Sequence, residues 1–229
     1  MHFGMTGDIK FKDMADEPIR IERFNLGTDW PPKYTKFWMI FSGADPGDEV
    51  SMAFTDPRRL GRVRLVDNDP TVQPPLSELG FDPILSPPTL EIFMELARKR
   101  KVPVKALLLD QKFSAGVGNW IADEVLFQSR IHPAQYAHTL SDAQLATMLE
   151  RMVYICKTAV KCKGDMRNFP KEWLFHYRWG KGKNVNQLPD GRKIIHDTVG
   201  GRTTAIVPDV QKLPGKVAVA KVAAVKGSK

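Results

Sequence analysis

Six prolines fall between Val66 and Pro88 (Pro70, Pro74, Pro75, Pro83, Pro87 and Pro88), and a regular helix or central strand cannot run through such a stretch. Each ring fixes φ and removes a backbone N–H. The segment 68–88 is therefore expected to be a linker between parts of different character. Upstream, Thr6-Gly7-Asp8 precedes Ile9-Lys10-Phe11. The runs Lys36 to Phe41 and Ser51 to Phe54 flank a loop from Gly43 to Asp48. Apolar and β-favouring runs bounded by turn residues predict β-structure over 1–67.

Downstream the period changes to that of a helix. Thr89 can cap a helix whose apolar side is Ile92, Phe93, Leu96 and Ala97, ahead of the basic run Arg98 to Lys101. A short helix is expected from Val104 to Asp110. After the turn Gly116-Val117-Gly118, Asn119 stands where an N-cap belongs for a helix through Trp120, Ala122, Val125 and Leu126. Ser141 with Gln144 makes a capping box for a longer helix carrying Leu145, Met148, Leu149, Met152, Val153 and Cys156, whose spacing reads as plain core packing. Pro189-Asp190-Gly191 and Gly200-Gly201 punctuate two β-type runs, Lys193 to His196 and Thr203 to Val207, predicting a hairpin. The fold class expected is α+β, with a helical domain over 89–212 and a basic, disordered tail over 213–229.

At 229 residues and 42% hydrophobic content the chain can bury a core. No apolar run approaches the roughly 18 residues of a membrane span, and the start does not resemble a signal segment, so an intracellular, soluble chain is expected. Cys156 and Cys162 are too few for a four-cysteine metal site or a disulfide framework, and both read as free thiols. The net charge of +8 favours polyanionic partners, because lysines and arginines that neutralise phosphates gain from counterion release.

The sharpest local signal is Gly116-Val117-Gly118-Asn119 opening a helix. Glycines admit a close backbone approach, and a helix N-terminus presents unpaired N–H groups and a partial positive charge, which together suit a phosphate. Lys105 could add a point charge. An ordinary interhelical turn explains the same residues. A solvated, charged turn likewise explains Arg58 and Arg59 after Asp56-Pro57, and a plain turn residue explains Arg202.

The motifs in combination discriminate further. Lys105 to Asp110, Gly116 to Glu124 and Ile131-His132-Pro133 resemble the helix-two-turn-helix of formamidopyrimidine-DNA glycosylases and their endonuclease VIII relatives. Three other pieces stand in that family's order: His2 to Gly7, Phe54 to Gly61, and Gly200 to Ala205. The resemblance implies a partial β-sandwich N-terminal remnant followed by the DNA-binding helical domain, with the duplex in the cleft between them. It implies a partner, double-stranded DNA carrying an oxidised base or an abasic site, and a function, excision of oxidised purines by a bifunctional glycosylase and apurinic-site lyase acting as a monomer on DNA. Chemistry on a base needs that base swung out of the stack, and wedge side chains fill the gap. Met5 matches a wedge, Arg58 the arginine facing the widowed base, and Leu60 stands where the family usually has phenylalanine. Lys105, Asn119, Arg100 and Arg202 match positions that grip phosphates, with Arg59 and His2 as weaker candidates; Arg202 is linked to the second elimination step.

Two departures from the family pattern shape these expectations. Many members hold the hairpin with four cysteines on zinc. None occurs here between Asn184 and Lys212, so the chain resembles the zincless branch, with no cofactor and a hairpin held by packing and backbone bonds. The family's nucleophile is an N-terminal proline followed by glutamate, and this sequence opens Met1-His2 at a segment that in the family follows much of the N-terminal domain. The expectation is an N-terminally truncated chain with unpaired strand edges and exposed apolar surface. As written, the sequence fits a catalytically silent damaged-DNA-binding module better than it fits an enzyme. A ribosomal-type RNA-binding protein is a third reading, with no use for Arg58-Arg59 or the Arg202 hairpin. A nuclear location follows from the substrate alone.

Overall fold

The computed structural model describes residues 1–12, 26–45, 47–182 and 186–214; nearly all of the expected tail lies outside the described residues. Two compact units divide between Pro70 and Thr71, the first taking residues 1–70 with 163–165 and the second the remainder.

The first unit is built on one antiparallel sheet of order β1-β3-β2, with β1 Asp8–Phe11, β2 Thr35–Ser42 and β3 Glu49–Thr55. The middle strand β3 buries Met52, Ala53, Phe54 and Thr55. Phe54 is its anchor: its ring meets Phe3 edge-on at 5.8 Å and stacks on Phe37 at 5.6 Å. Fully burying such a ring contributes about 2–3 kcal/mol. Of the expected partial sandwich, the described residues supply this single sheet. On β2, Trp38, Met39, Ile40 and Phe41 are all exposed, at 39 to 56% of their surface.

The second unit is α+β, as expected. Its helices are α1 Leu90–Arg98, α2 Val104–Leu109, α3 Asn119–Gln128 and α4 Asp142–Lys161. Thr89 caps α1, and the Ser141–Gln144 capping box opens α4. The buried stripe of α1 is narrower than the spacing suggested: Phe93 and Ala97, one turn apart, are fully buried, while Ile92 and Leu96 are exposed. Leu145, Met148, Met152 and Ile155 of α4 pack with Leu107, Leu108, Val125 and Leu126 in one core.

Residues 71–88 are not a free linker. Gly80 N–H donates to the Gln111 carbonyl, Ala115 N–H to the Phe81 carbonyl, and the Phe81 ring packs edge-on against Phe93 and Phe113. The prolines limit the segment to short 3-10 turns such as Leu76–Glu78, but aromatic burial still docks it. At the far end, β4 Ile195–Val199 and β5 Arg202–Ile206 form the hairpin. Its tip is Gly200-Gly201, at φ +62° and +72°. Two consecutive positive φ values make the tight turn that matches strand twist and that side chains with a Cβ resist. A small cluster of Leu174, Leu188, Ile194, Ala205 and Val207 lies beneath the hairpin. No helix of the described residues is long and apolar enough to cross a membrane.

Candidate nucleic-acid interface

In the first unit, one buried carboxylate organises the residues of interest. Asp56 accepts from Thr6 Oγ1 at 2.6 Å and from Gly61 N–H at 2.6 Å, and Arg58 N–H donates to Thr6 Oγ1 at 3.2 Å. Burial alone would raise the Asp56 pKa; the bonds from Thr6 and from the Gly61, Arg58 and Leu60 backbone outweigh it and hold the carboxyl below its ordinary value. Arg59 sits at φ +57°, a left-handed conformation that this network holds in place.

Two turns meet over this anchor. Gly4 has φ +62°, and a Cβ there would stand 2.7 Å from the Leu60 carbonyl carbon, so the turn carrying Met5 lies flat on the loop carrying Leu60. Met5 is 60% exposed, and Arg58 Nη1 reaches its sulfur at 3.4 Å. His2 pairs by backbone with Arg62, and its Nδ1 accepts from Gly4 N–H at 3.1 Å. His2, Met5, Arg58, Arg59 and Leu60 are thus gathered at one exposed edge of this unit, held from below by Asp56 and Thr6. An exposed methionine on a conformationally fixed turn contributes little to the fold and is well placed to insert elsewhere.

In the second unit, the structure relocates several expected roles. Gly118, with extended backbone, is the N-cap of α3, and Asn119 is its first helical residue. The Asn119 side chain is thereby turned to the hairpin, where Nδ2 donates to the Thr203 carbonyl at 3.0 Å; Oδ1 is buried without a partner among the described residues. Lys105 is fully buried, its ammonium bonded to Asp123 and, at 2.9 Å, to the Asn119 carbonyl. Its pKa falls to about 8: burial pulls it down further than Asp123 pulls it up. In this state Lys105 holds the start of α3 from inside and presents no charge to solvent. Arg100 pairs with Asp110 just past the end of α2, an exposed contact weak enough for a phosphate to displace. Arg202 is exposed beside the hairpin tip, with no side-chain partner among the described residues.

Sequence reasoning missed the residues that assemble this surface. Asp123 also accepts from Arg178 Nε at 3.1 Å and from Ala205 N–H at 3.3 Å. Glu124, fully buried, accepts from Phe175 N–H and Gln128 Nε2, both at 2.8 Å, and burial raises its pKa to about 7. Gln111 ties down the glycine turn, accepting from Gly116 N–H at 2.9 Å and donating to the Val117 carbonyl at 3.1 Å. Asp123 and Glu124 together on the inner face of α3 were the available signal, since buried acids must find partners.

Three comparisons bear on this geometry. Residues 79–170 match the family model described as the formamidopyrimidine-DNA glycosylase H2TH domain. The chain is 43% identical over 214 residues to a formamidopyrimidine-DNA glycosylase of Arabidopsis thaliana, covering 93% of this chain and 53% of that protein. It is 31% identical over 206 residues to that of Cytobacillus firmus, covering 84% and 73%. Among solved structures, the Thermus thermophilus protein aligns at TM-score 0.57 and 31% identity over 70% of this chain and 64% of that one. The Lactococcus lactis enzyme, crystallised on DNA with an abasic site, aligns at TM-score 0.67 and 23% identity over 93% and 73%. The chain spans about half the length of the first curated relatives it matches.

Proposed function

Because the chain belongs to the formamidopyrimidine-DNA glycosylase family, we propose that it binds duplex DNA at an oxidised or abasic nucleotide, in a protein that excises oxidised purines and cleaves the resulting abasic site. The observation that carries this reading is the Met5–Arg58 pair, exposed side by side on two turns locked together over Asp56. A side chain meant to fill the space of an extruded nucleotide must be apolar, projecting and held by rigid backbone, and a cation beside it suits the unpaired base opposite. Asn119 and Arg202 supply phosphate contacts, which position the duplex without reading sequence. A relative of the same family has been crystallised on abasic-site DNA, which supports the same choice of ligand. The chain acts as a monomer on its duplex, and a nuclear location follows from the substrate.

The test is a binding titration of the 229-residue chain against two otherwise identical duplexes, one carrying a tetrahydrofuran abasic analogue, with borohydride trapping on 8-oxoguanine duplex alongside. Binding at least about tenfold tighter to the abasic duplex is expected, a preference of roughly 1.4 kcal/mol. Equal affinity for both duplexes would refute damage recognition. A covalent borohydride adduct would show that an amine of this chain forms the Schiff base; retained binding without an adduct would assign the chain to recognition alone.

A further inference from the structure

We infer that Asp123 and Arg178 form a buried ionic staple that seats the hairpin on α3 and thereby aims Arg202 and Asn119 at one DNA phosphate. The inference rests on the DNA-binding reading above and adds to it the residues that set the geometry.

A two-stranded hairpin is marginally stable alone and needs something beneath it. Family members with four hairpin cysteines use zinc. The donor set does not fit here: no cysteine lies between 184 and 212, and the hairpin's histidine, His196, has its Nε2 committed to the Arg178 carbonyl at 2.9 Å. The small apolar cluster under the hairpin has five buried residues, four of them from 188–207: Leu188, Ile194, Ala205 and Val207. That cluster supplies adhesion, yet apolar contacts alone fix neither register nor angle.

The polar contacts supply both. Arg178 touches the two strands at once, β4 through its carbonyl to His196 and β5 through Asp123, which accepts from Ala205 N–H at 3.3 Å. Its guanidinium grips Asp123 with two N–H groups and stacks on the Trp179 ring at 4.5 Å. A planar fork stacked on one side and bonded along its edge has one orientation, which lysine cannot reproduce. Asn119 Nδ2 then takes the Thr203 carbonyl, and Lys181 Nζ the Thr203 hydroxyl at 3.3 Å. Gly200 completes the seat, since a Cβ there would stand 3.0 Å from the Ala106 Cα of α2. Arg202 lies between these fixed points, one residue from Thr203 and two from Gly200.

Arg178 is therefore a positioning residue whose effect passes through Arg202, and a double-mutant cycle reads that dependence. The full chain carries Arg178→Gln, Arg202→Ala or both, and is titrated with tetrahydrofuran duplex across salt. Arg202→Ala is expected to weaken binding about tenfold and lower the salt slope by about one. Arg178→Gln is expected to do the same although its guanidinium is buried, and the double variant to bind within about twofold of either single one. Arg178→Lys, which keeps the charge without the fork, should fall between and serves as the cycle partner if Arg178→Gln does not fold. Without DNA, amide exchange of Thr203 to Val207 should rise at least about tenfold in Arg178→Gln while α4 amides stay protected. Losses that multiply to about a hundredfold, or an unchanged salt slope, or unchanged hairpin exchange, would overturn the inference. A wild-type chain that binds no duplex would overturn the functional reading, and the exchange experiment would still judge the staple.

Discussion

Replacing Lys105 by methionine should remove a pH dependence of stability that few single side chains could create. The ammonium is wholly buried, and two cations face one carboxylate, so the charged form is disfavoured and the pKa falls from 10.5 to about 8. Unfolding restores the ordinary value, so between pH 8 and 10.5 the unfolded chain binds the extra proton. Stability must then rise with pH across that window. Below pH 8 the wild type carries the full penalty, about 3 kcal/mol, of which roughly 2 kcal/mol disappears between pH 7 and pH 9.5. Lys105→Met keeps the length and burial of the side chain and leaves Asp123 paired with Arg178 alone, a neutral couple. Urea denaturation followed by tryptophan fluorescence at pH 7 and 9.5 gives the change for each protein. The wild type should gain about 2 kcal/mol more than Lys105→Met over that interval. Equal pH dependence in the two proteins would show that Lys105 is not held charged in a buried cluster, and the account of α3 would fail with it.

Four other perturbations probe separate parts of the structure. Gly4→Ala forces a Cβ to 2.7 Å from the Leu60 carbonyl carbon at a positive φ, and should cost about 2 kcal/mol or more of stability in the first unit by thermal melting while abolishing the preference for abasic duplex. Met5→Ala should weaken binding to abasic duplex by about 1–2 kcal/mol and to intact duplex by less than about 0.5 kcal/mol, and equal losses on both would refute a wedge. Asn119→Ala removes the bond to Thr203 and should weaken binding to damaged and intact duplex alike by about 1–3 kcal/mol in a gel-shift series. Ser141→Ala breaks the capping box of α4 and should cost about 1 kcal/mol of stability in chemical denaturation, with no change in DNA affinity.

What the sequence revealed divides along the range of the interactions. Thr89, Ser141 and Gln144 could be read as caps because a cap is decided within four residues, and the Gly200-Gly201 turn was legible for the same reason. Helical periodicity found Leu145, Met148, Met152 and Cys156 of α4, but it took in Leu149 and Val153, which are only partly buried, and left out Ile155, which is fully buried. It overstated α1, where Ile92 and Leu96 share the right spacing with Phe93 and Ala97 yet meet no core. The Asn119 cap was displaced by one residue, because Gly118 adopts the extended cap conformation and frees Asn119 for a partner 84 residues away. Lys105 read as a surface point charge because no local pattern distinguishes a lysine in solvent from one buried against a carboxylate 18 residues on. Arg178 finds Asp123 across 55 residues, which only the packing of the hairpin on α3 brings about. The residues expected to touch DNA were recognisable by motif order; those that hold them in place were not.

The most direct measurement is hydrogen exchange of the chain with and without tetrahydrofuran duplex, resolved to short peptides. New protection is expected at residues 3–6 and 57–61, at the start of α3 over 116–121, and at the hairpin tip over 200–204, with α4 and the exposed strand β2 unchanged. Protection confined to other surfaces, or none at a duplex concentration that saturates binding, would contradict the claim that each unit meets the duplex through these residues.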